Sequence, residues 1–429
     1  MSSLPTLTND QQAAADAFAM FLVSPLKEFV ISGGAGVGKS TLLRYLEQSS
    51  FLENVATMVG AKIPKLQWRY TATTNKAAEV LQSMGFLEAT TIHSLLGIRV
   101  YNDLDNGTSR AERKPNSPII RDSLIFVDEC SMVDRNLRKL IGEGTFNCKI
   151  VYIGDHCQMA PITEQLSTVF TDNQTVIINE IVRSKGAPPI TSLCRQLRET
   201  VETGLFKPIK GVPGFIDYLT PEEAQAEITR HFVQNQGHSD RILYFRNESV
   251  IAMNDWIRRQ RNLPPEFVPG ETLISSGATY AMNTVNGQRY MLRVEEEVKI
   301  RDVSESALTN LRAYDLDAQI ETYTVTTDHG EFLIAKNPND LKLCLNALSK
   351  RKNWRQFFTL KEAFADLRMR EACTVYKAQG STYQDVFVDL TDIGRCNNPA
   401  QAARMLYVAC SRPTNRICFI GRLPKKYGG

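Results

Sequence analysis

"ISGGAGVGKST", residues 31–41, is the stretch from which the fold can be read. Gly33, Gly38, Lys39 and Ser40 fit the spacing G-x-x-x-x-G-K-[ST], between an apolar run, "KEFVIS" (27–32), and a helical one, "STLLRYLEQ". With so little side chain from Gly33 through Gly34, Ala35, Gly36, Val37 and Gly38, backbone N–H groups can wrap nucleotide phosphates, and the following helix adds partial positive charge. Lys39 is expected to neutralise phosphate charge and Ser40 to ligate Mg²⁺, with Thr41 beside it in the same site. Such a loop is specific for a nucleotide but not for the use made of its energy.

Working outward, further apolar runs rich in β-branched and aromatic residues recur between helical stretches: "WRYTATT" (68–74), "SLIFVDE" (123–129) and "KIVYIGD" (149–155). That alternation indicates an α/β fold with a parallel sheet covered on both faces. A second series, "RILYFRNE" (241–248), "DVFVDLTD" (385–392) and "RICFIG" (416–421), implies a second α/β core in tandem. Two segments break the pattern. Residues 96–118 are rich in Asn, Asp, Gly and Pro, as a loop or hairpin insert would be, and 263–362 reads as short strands with turns, Asn286-Gly287 being a hairpin signal.

The chain has 429 residues, 43% of them hydrophobic, enough for two or more cores. It shows neither a signal-peptide pattern nor an apolar run of roughly 18 residues, so a cytoplasmic location is expected. Nine cysteines without a C-x-x-C pair exclude zinc-ribbon and redox-motif spacing. A net charge of +3 is too small for bulk attraction to nucleic acid, so any such site must be a local groove. Basic clusters at 110–121, 257–262 and 349–356 could contribute, although most charge runs are solvated faces.

The run "LIFVDEC" delivers Asp128 and Glu129 to the carboxyl end of a buried strand, the edge at which open α/β sheets bind ligands. Behind a phosphate loop, Asp128 is expected to hold the Mg²⁺ shell and Glu129 to orient the attacking water. "YIGDHCQMAPI" (152–162) sets Gln158 beyond a further strand, where its amide could sense a γ-phosphate.

The ordered series "LTNDQQ" (7–12), "GGAGVGKST", "TATTNKAAEVL" (71–81), "TIHSLLG" (91–97), "VDECSM" (127–132), "GDHCQMAP" (154–161), "VRS" (182–184), "VYKAQGST" (375–382) and "LYVACSR" (406–412) resembles the motifs of superfamily 1 helicases, and within them the RecD-like, 5′-to-3′ branch. The resemblance spans nearly the whole chain. It implies two RecA-like domains: 1–175, carrying a pin insert at about 97–118, and 176–262 with 363–429, interrupted by a β-rich, SH3-like domain at 263–362. It implies an ATP hydrolase in which Gln11 contacts adenine, Gly380 lies at the nucleotide site, and Arg183 and Arg412 reach the γ-phosphate from the second core. Thr73, Asn75, His93, Asn247, Thr374 and Lys377 would contact single-stranded DNA. Tyr101 and Trp354 are candidate aromatic faces for bases, although the helical spacing of "WRQFFTLKEAF" points to Trp354 packing in a core instead. Val100 and Tyr101 are expected at the tip of the pin. Two departures stand out: "QMAP" replaces a "QLPP"-like ending, and Pro413 directly follows Arg412.

The resemblance further implies a monomeric helicase on single-stranded and forked DNA, working with a single-strand-binding protein or replisome components in phage replication or recombination, without membrane contact. A translocase that displaces proteins without separating strands would carry identical motor motifs. A P-loop kinase would have no reason to carry "TIHSLLG" or "YKAQGST" at these places.

Overall fold

The computed structural model describes residues 7–429 except 35, 61–64, 162–163, 181–187, 236–238 and 286–287. Three expected features, Ala35, Arg183 and the Asn286-Gly287 turn, lie outside the described residues.

The first sheet has six strands, all parallel, in the order Thr175–Ile178, Glu28–Gly33, Lys149–Gly154, Ser123–Asp128, Gln67–Ala72, Thr90–Thr91. Its central strands are continuous apolar runs because both faces are covered: Phe29, Val30, Ile125, Val127 and Val151 have no exposure. One face packs against helices Asn9–Val23 and Asn75–Ser83, the other against Arg135–Gly144. Burying each such side chain is worth roughly 1.5–3 kcal/mol, so this layer holds the edge from which the functional loops emerge. The strand Thr175–Ile178 pairs with the phosphate-loop strand, so the sheet continues past the boundary expected at 175.

The second sheet is also parallel, in the order Ile216–Leu219, Pro413–Ile420, Tyr383–Asp389, Arg241–Tyr244, Ala372–Thr374. Helices Pro188–Thr203 and Pro399–Cys410 cover one face and Asn247–Gln260 the other. Pro413 opens its strand, a position that needs no ladder hydrogen bond from the proline, and the register against Tyr383–Asp389 shifts just after it, from Tyr383 opposite Pro413 to Asp385 opposite Arg416. Between these strands an antiparallel sheet is built from Ala307–Asn310, Gln319–Thr327, Glu297–Val303 and Thr272–Ser275, with Gly330–Ala335 beside Gln319–Thr327. Its last strand, Leu367–Arg368, lies past the boundary expected at 362.

Residues 98–113 form a two-stranded hairpin, Ile98–Asp103 against Thr108–Arg113. Arg113 ties its base down by donating to the carbonyls of Leu96, Ser117 and Pro118 at 3.2, 3.2 and 2.9 Å. At the far end the Asp103 carboxylate accepts from the backbone of Asp105 and Asn106, and Gly107 turns with φ 68°. This turn corrects one expectation. Val100 and Tyr101 pair with Ala111 and Arg110 midway along the hairpin, and the tip is Leu104 to Gly107. Of the two expectations for Trp354, the structure shows packing. Its indole packs where a side chain on Gly107 would be, and edge-on to Phe357 at 5.7 Å, so the ring is a seat for the hairpin tip. Beside it Asn102 donates to Glu362 at 2.7 Å, and Phe358 and Leu360 bury the same helix in its own core.

Candidate functional site

Parallel register aligns the functional loops at one edge of the first sheet. Ser32 is opposite Gly154, Ala72 is opposite both Asp128 and Thr91, and Val127 is opposite Tyr152. The chain therefore leaves the sheet at the phosphate loop, at Asp155, at Glu129, at Thr73 and at Ile92 along a single crevice, where such sheets bind ligands.

In the loop itself, Gly36 and Gly38 take φ of 83° and 79°, a conformation open to glycine at little cost, and Lys39 begins the helix Lys39–Leu46. The Lys39 ammonium donates to the carbonyls of Gly33 and Gly34 at 2.6 and 3.0 Å, which holds it over the loop. Gln11, 1% exposed, is engaged at both ends of its amide: Nε2 donates to the Val37 carbonyl at 2.8 Å and Oε1 accepts from the Thr8 backbone at 3.0 Å.

Asp128 and Glu129 are adjacent and half-buried at the end of their strand. Burial first, and the neighbouring Glu129 second, push the Asp128 carboxyl up to about 6, against the opposing charge of Lys39. Glu129 has φ 53°, a left-handed conformation that costs a non-glycine residue of order 1–3 kcal/mol and collects at functional sites. Its neighbours hold it there. Thr73 donates its hydroxyl to the Glu129 carbonyl at 3.1 Å, and the Thr73 N–H donates to the Asp128 carbonyl at 3.2 Å. From the second core, Gln379 donates to the Glu129 carboxylate at 3.3 Å and to Ser131 Oγ at 2.9 Å. Gly380, at φ 77°, passes so close that a Cβ there would lie 3.9 Å from Glu129 Oε1.

The segment after Gly154 joins the two cores. Cys157 and Met159 are buried in the apolar cluster of the second core, with Leu197, Met405 and Leu406, so the methionine of "QMAP" is a packing residue. Arg404 donates to the carbonyls of His156 and Gln158, the latter at 2.6 Å. Gln158 is 4% exposed and its Oε1 has no partner among the described residues. Asp155, with no exposure, accepts from Arg198 at 2.8 Å and from the Tyr407 hydroxyl at 2.6 Å. Burial alone would raise the Asp155 carboxyl, yet Arg198, Lys39 and Tyr407 outweigh it and hold it below the ordinary carboxylate range.

Arg412, expected at the γ-phosphate, is 5% exposed and spends its guanidinium inside the second core, on Val408 O at 3.1 Å, Ser381 O at 3.3 Å and Ser411 Oγ at 2.8 Å. Among the residues expected to meet the strand, Asn75 opens the helix after Thr73 and His93 lies in the helix Ile92–Leu96. Burial keeps the His93 imidazole below its ordinary value, against the pull of Asp134. On the second core, Thr374 caps a short helix by accepting from the Lys377 backbone at 3.4 Å, Asn247 accepts from Arg368 at 3.3 Å, and Lys377 Nζ reaches Glu295 at 2.7 Å and Ser276 at 3.1 Å.

The sequence reading missed Gln379, Arg198, Arg404 and Tyr407 as bridges between the cores. Gln379 stands inside "VYKAQGST" and could have been singled out there; the other three lie on amphipathic helices, where a polar residue at a junction has the same pattern as one facing water.

Residues 16–164 match a family model described as an AAA domain, and residues 371–417 match the UvrD-like helicase C-terminal domain. Over 457 aligned residues the chain is 25% identical to the ATP-dependent DNA helicase dda of Enterobacteria phage T4, covering 96% of this chain and 99% of that relative. It is 29% identical over 168 residues to the RecBCD enzyme subunit RecD of Haemophilus influenzae, covering 34% of this chain and 24% of that one. A crystal structure of Pif1 helicase from Candida albicans aligns with a TM-score of 0.47 at 17% identity, covering 99% of this chain and 96% of that one. With the phosphate loop, the acidic pair and the two parallel sheets in this order, the chain is similar to superfamily 1 helicases over nearly its whole length, and it is an ATP hydrolase.

Proposed function

We propose that this chain is a DNA helicase that hydrolyses ATP to move 5′-to-3′ along single-stranded DNA and separates the duplex at a fork, in phage replication or recombination. The observation that carries the reading is the link from Thr73, on the strand-binding edge, to Asp128 and Glu129, on the nucleotide edge. A shift at one is felt by the other, as a motor requires.

The residues present fit Mg²⁺·ATP. Gly36 and Gly38 turn the loop ahead of the helix Lys39–Leu46, and beside it the half-buried Asp128, next to Glu129, has Lys39 as its opposing charge among the described residues, a deficit that a divalent cation makes good. Ser40 and Asp128 would hold the metal, Gln11 the adenine, and Gly380 borders the same site. When bound, the nucleotide supplies the phosphoryl bond whose cleavage drives movement. Glu129 then orients and polarises water, Lys39 and Arg183 balance charge on the phosphates, Arg412 joins them only by giving up its bonds to Val408, Ser381 and Ser411, and Gln158 reports the phosphates' presence to Arg404.

Single-stranded DNA is read as crossing both cores, held through Thr73, Asn75, His93, Asn247, Thr374 and Lys377 by phosphate and sugar contacts that carry no sequence preference. For Lys377 the DNA backbone competes with Glu295. The hairpin 98–113, braced at its tip on Trp354, supplies a rigid edge at the fork, with Tyr101 on its flank. In this reading the working units are residues 1–178 with the hairpin, 179–262 with 369–429, and the insert 263–368, the boundaries at 175 and 362 moving to the ends of the strands Thr175–Ile178 and Leu367–Arg368, and the enzyme acts in the cytoplasm as a monomer alongside a single-strand-binding protein. No helix among the described residues is long and apolar enough to cross a membrane.

Hydrolysis measured with and without single-stranded DNA, and unwinding of duplexes bearing a 5′ or a 3′ tail, test the proposal, with Lys39→Ala as control. DNA-stimulated hydrolysis and unwinding from the 5′ tail are expected, both lost in the control. Hydrolysis indifferent to DNA overturns the motor, and a requirement for a 3′ tail overturns the direction.

A further inference from the structure

Lys377, on the short helix Val375–Ala378 of the second core, has its partners in the insert. Its ammonium is 2.7 Å from Glu295 Oε1 and donates to the Ser276 hydroxyl at 3.1 Å. Ser276 follows the strand Thr272–Ser275, and Glu295 lies in the turn between Gln288–Leu292 and Glu297–Val303. A third part of the chain comes close to the same place. Burial pushes the Cys373 thiol up to about 11, and the charges that act on it are Arg241, Glu295, Lys377 and, from the helix Asn75–Ser83 of the first core, Lys76. An acidic side chain of the insert therefore stands among basic ones where the two cores approach each other.

The turn that carries Glu295 is built to keep it there. Glu295 has φ 65°, a left-handed conformation that costs a non-glycine residue of order 1–3 kcal/mol. Its N–H donates to the Ser275 carbonyl at 2.8 Å, and the Ser275 N–H donates to the Glu296 carbonyl at 3.0 Å. The Glu296 carboxylate accepts from the Arg293 N–H at 2.8 Å and from the Tyr290 hydroxyl, and the Tyr290 ring stacks on His329 at 4.4 Å. Glu296 thus fastens the turn, while Glu295 is left to face Lys377. The pair itself is loose. Both side chains keep about a quarter of their exposure, and Oε1 makes no aligned hydrogen bond among the described residues, so the two are joined by charge alone.

We propose that Glu295 is a positioning residue for strand release: it takes the Lys377 ammonium each time a DNA phosphate leaves it, and gives it up when the next phosphate arrives. The proposal rests on the reading that Lys377 contacts the strand. A motor that steps along DNA must break every phosphate contact it makes, and a half-buried ammonium left without an anion is costly. With Glu295 at hand Lys377 exchanges one anion for another, so the grip is weaker and its release faster. Lysine suits the exchange. Its ammonium is a compact charge on a flexible stem, whereas a guanidinium would lock onto the carboxylate through two parallel bonds.

The test is binding of a fluorescein-labelled oligothymidylate to the full chain by anisotropy, its dissociation by stopped flow, and unwinding of a duplex with a 5′ tail at saturating DNA. Glu295→Gln keeps the size and removes the charge. It is expected to bind about tenfold more tightly, equivalent to about 1.4 kcal/mol, chiefly through slower dissociation, and to unwind more slowly than the wild type. Glu295→Asp keeps the charge and is expected to lie between the two. In a Lys377→Gln background, Glu295→Gln should leave affinity unchanged, because the coupling runs through that one ammonium. Equal tightening with and without Lys377, which a general field effect would give, overturns the proposal, as does a Glu295→Gln variant that releases DNA or unwinds as fast as the wild type. Circular dichroism accompanies each variant, and Glu295→Asn, an amide residue that tolerates the left-handed backbone, replaces a glutamine variant that does not fold. Lys377→Gln binding DNA like the wild type would remove the strand contact on which the proposal rests, whereas weakened binding there with Glu295→Gln silent would overturn the proposal alone.

Discussion

Gln379 of the second core donates to the Glu129 carboxylate at 3.3 Å and to Ser131 at 2.9 Å, so the residue assigned to orient water is held in part by the opposite core. A hydrogen bond to a charged group is worth about 1.5–3 kcal/mol. Gln379→Leu keeps the volume and removes the bond. It is expected to lower the DNA-stimulated turnover about tenfold, the equivalent of about 1.4 kcal/mol in the barrier, with little change in nucleotide affinity. Steady-state hydrolysis at saturating single-stranded DNA measures this, and a turnover equal to the wild type would show that the bridge plays no part in positioning Glu129.

The hairpin tip gives a second prediction. Gly107 has φ 68° and faces the Trp354 indole, so Gly107→Val meets both backbone strain and a clash. Overpacking of this sort costs typically about 1–3 kcal/mol and is relieved here by the tip lifting from Trp354. Unwinding of a forked duplex is expected to fall while DNA-stimulated hydrolysis persists, because the hairpin lies apart from the nucleotide edge. Trp354→Ala, which removes the seat, should act in the same direction. Rapid-quench unwinding beside an ATPase assay separates the two activities, and a parallel loss of both would contradict a role confined to the fork.

Much of this architecture is legible in the sequence because its signals are local. The phosphate loop, the acidic pair and the apolar strands each declare themselves within about ten residues, since backbone wrapping and two-sided burial act on contiguous chain. The hairpin was readable as an insert from its Asn, Asp and Gly content, yet its tip was misplaced: the turn is fixed by Asp103 accepting from Asp105 and Asn106, a local geometry that composition alone does not rank. Trp354 was readable as part of a helix, but not as the seat of a segment some 250 residues away. The junction of the cores was least legible. Asp155, Arg198 and Tyr407 meet only in three dimensions, and Met159 looks like a departure from a motif until it is found in the core of the other half.

Acid should act through His93. Burial holds its imidazole below the ordinary value of 6.5, with Asp134 pulling the other way. The unfolded chain thus binds a proton at His93 more readily than the folded one, and stability rises with pH where only the unfolded form is protonated. The contribution is fully present above about pH 6.5 and declines as pH falls through that value toward the lower folded one. Urea midpoints taken between pH 7.5 and 5 are expected to drop less in His93→Asn than in the wild type. Parallel curves for the two proteins would show that the histidine titrates alike folded and unfolded.

Met159 supplies the last prediction. It is 1% exposed and leaves the first core to pack in the apolar cluster of the second, beside Cys157 and among residues of both helices on that face. Replacing a buried methionine by alanine removes its transfer energy and leaves a cavity, a loss of about 2–5 kcal/mol. Because the side chain crosses between the cores, Met159→Ala is expected to weaken their docking as well as lower overall stability. Urea unfolding followed by Trp68 fluorescence for the first core and Trp256 for the second, each in a background where the other two tryptophans are phenylalanine, should change from coincident to separated transitions. Met159→Leu conserves volume and should cost less than about 1.5 kcal/mol with the transitions still coincident. Coincident transitions in the alanine variant would mean that the Asp155, Arg198 and Arg404 contacts suffice to join the cores and that the methionine contributes to stability alone.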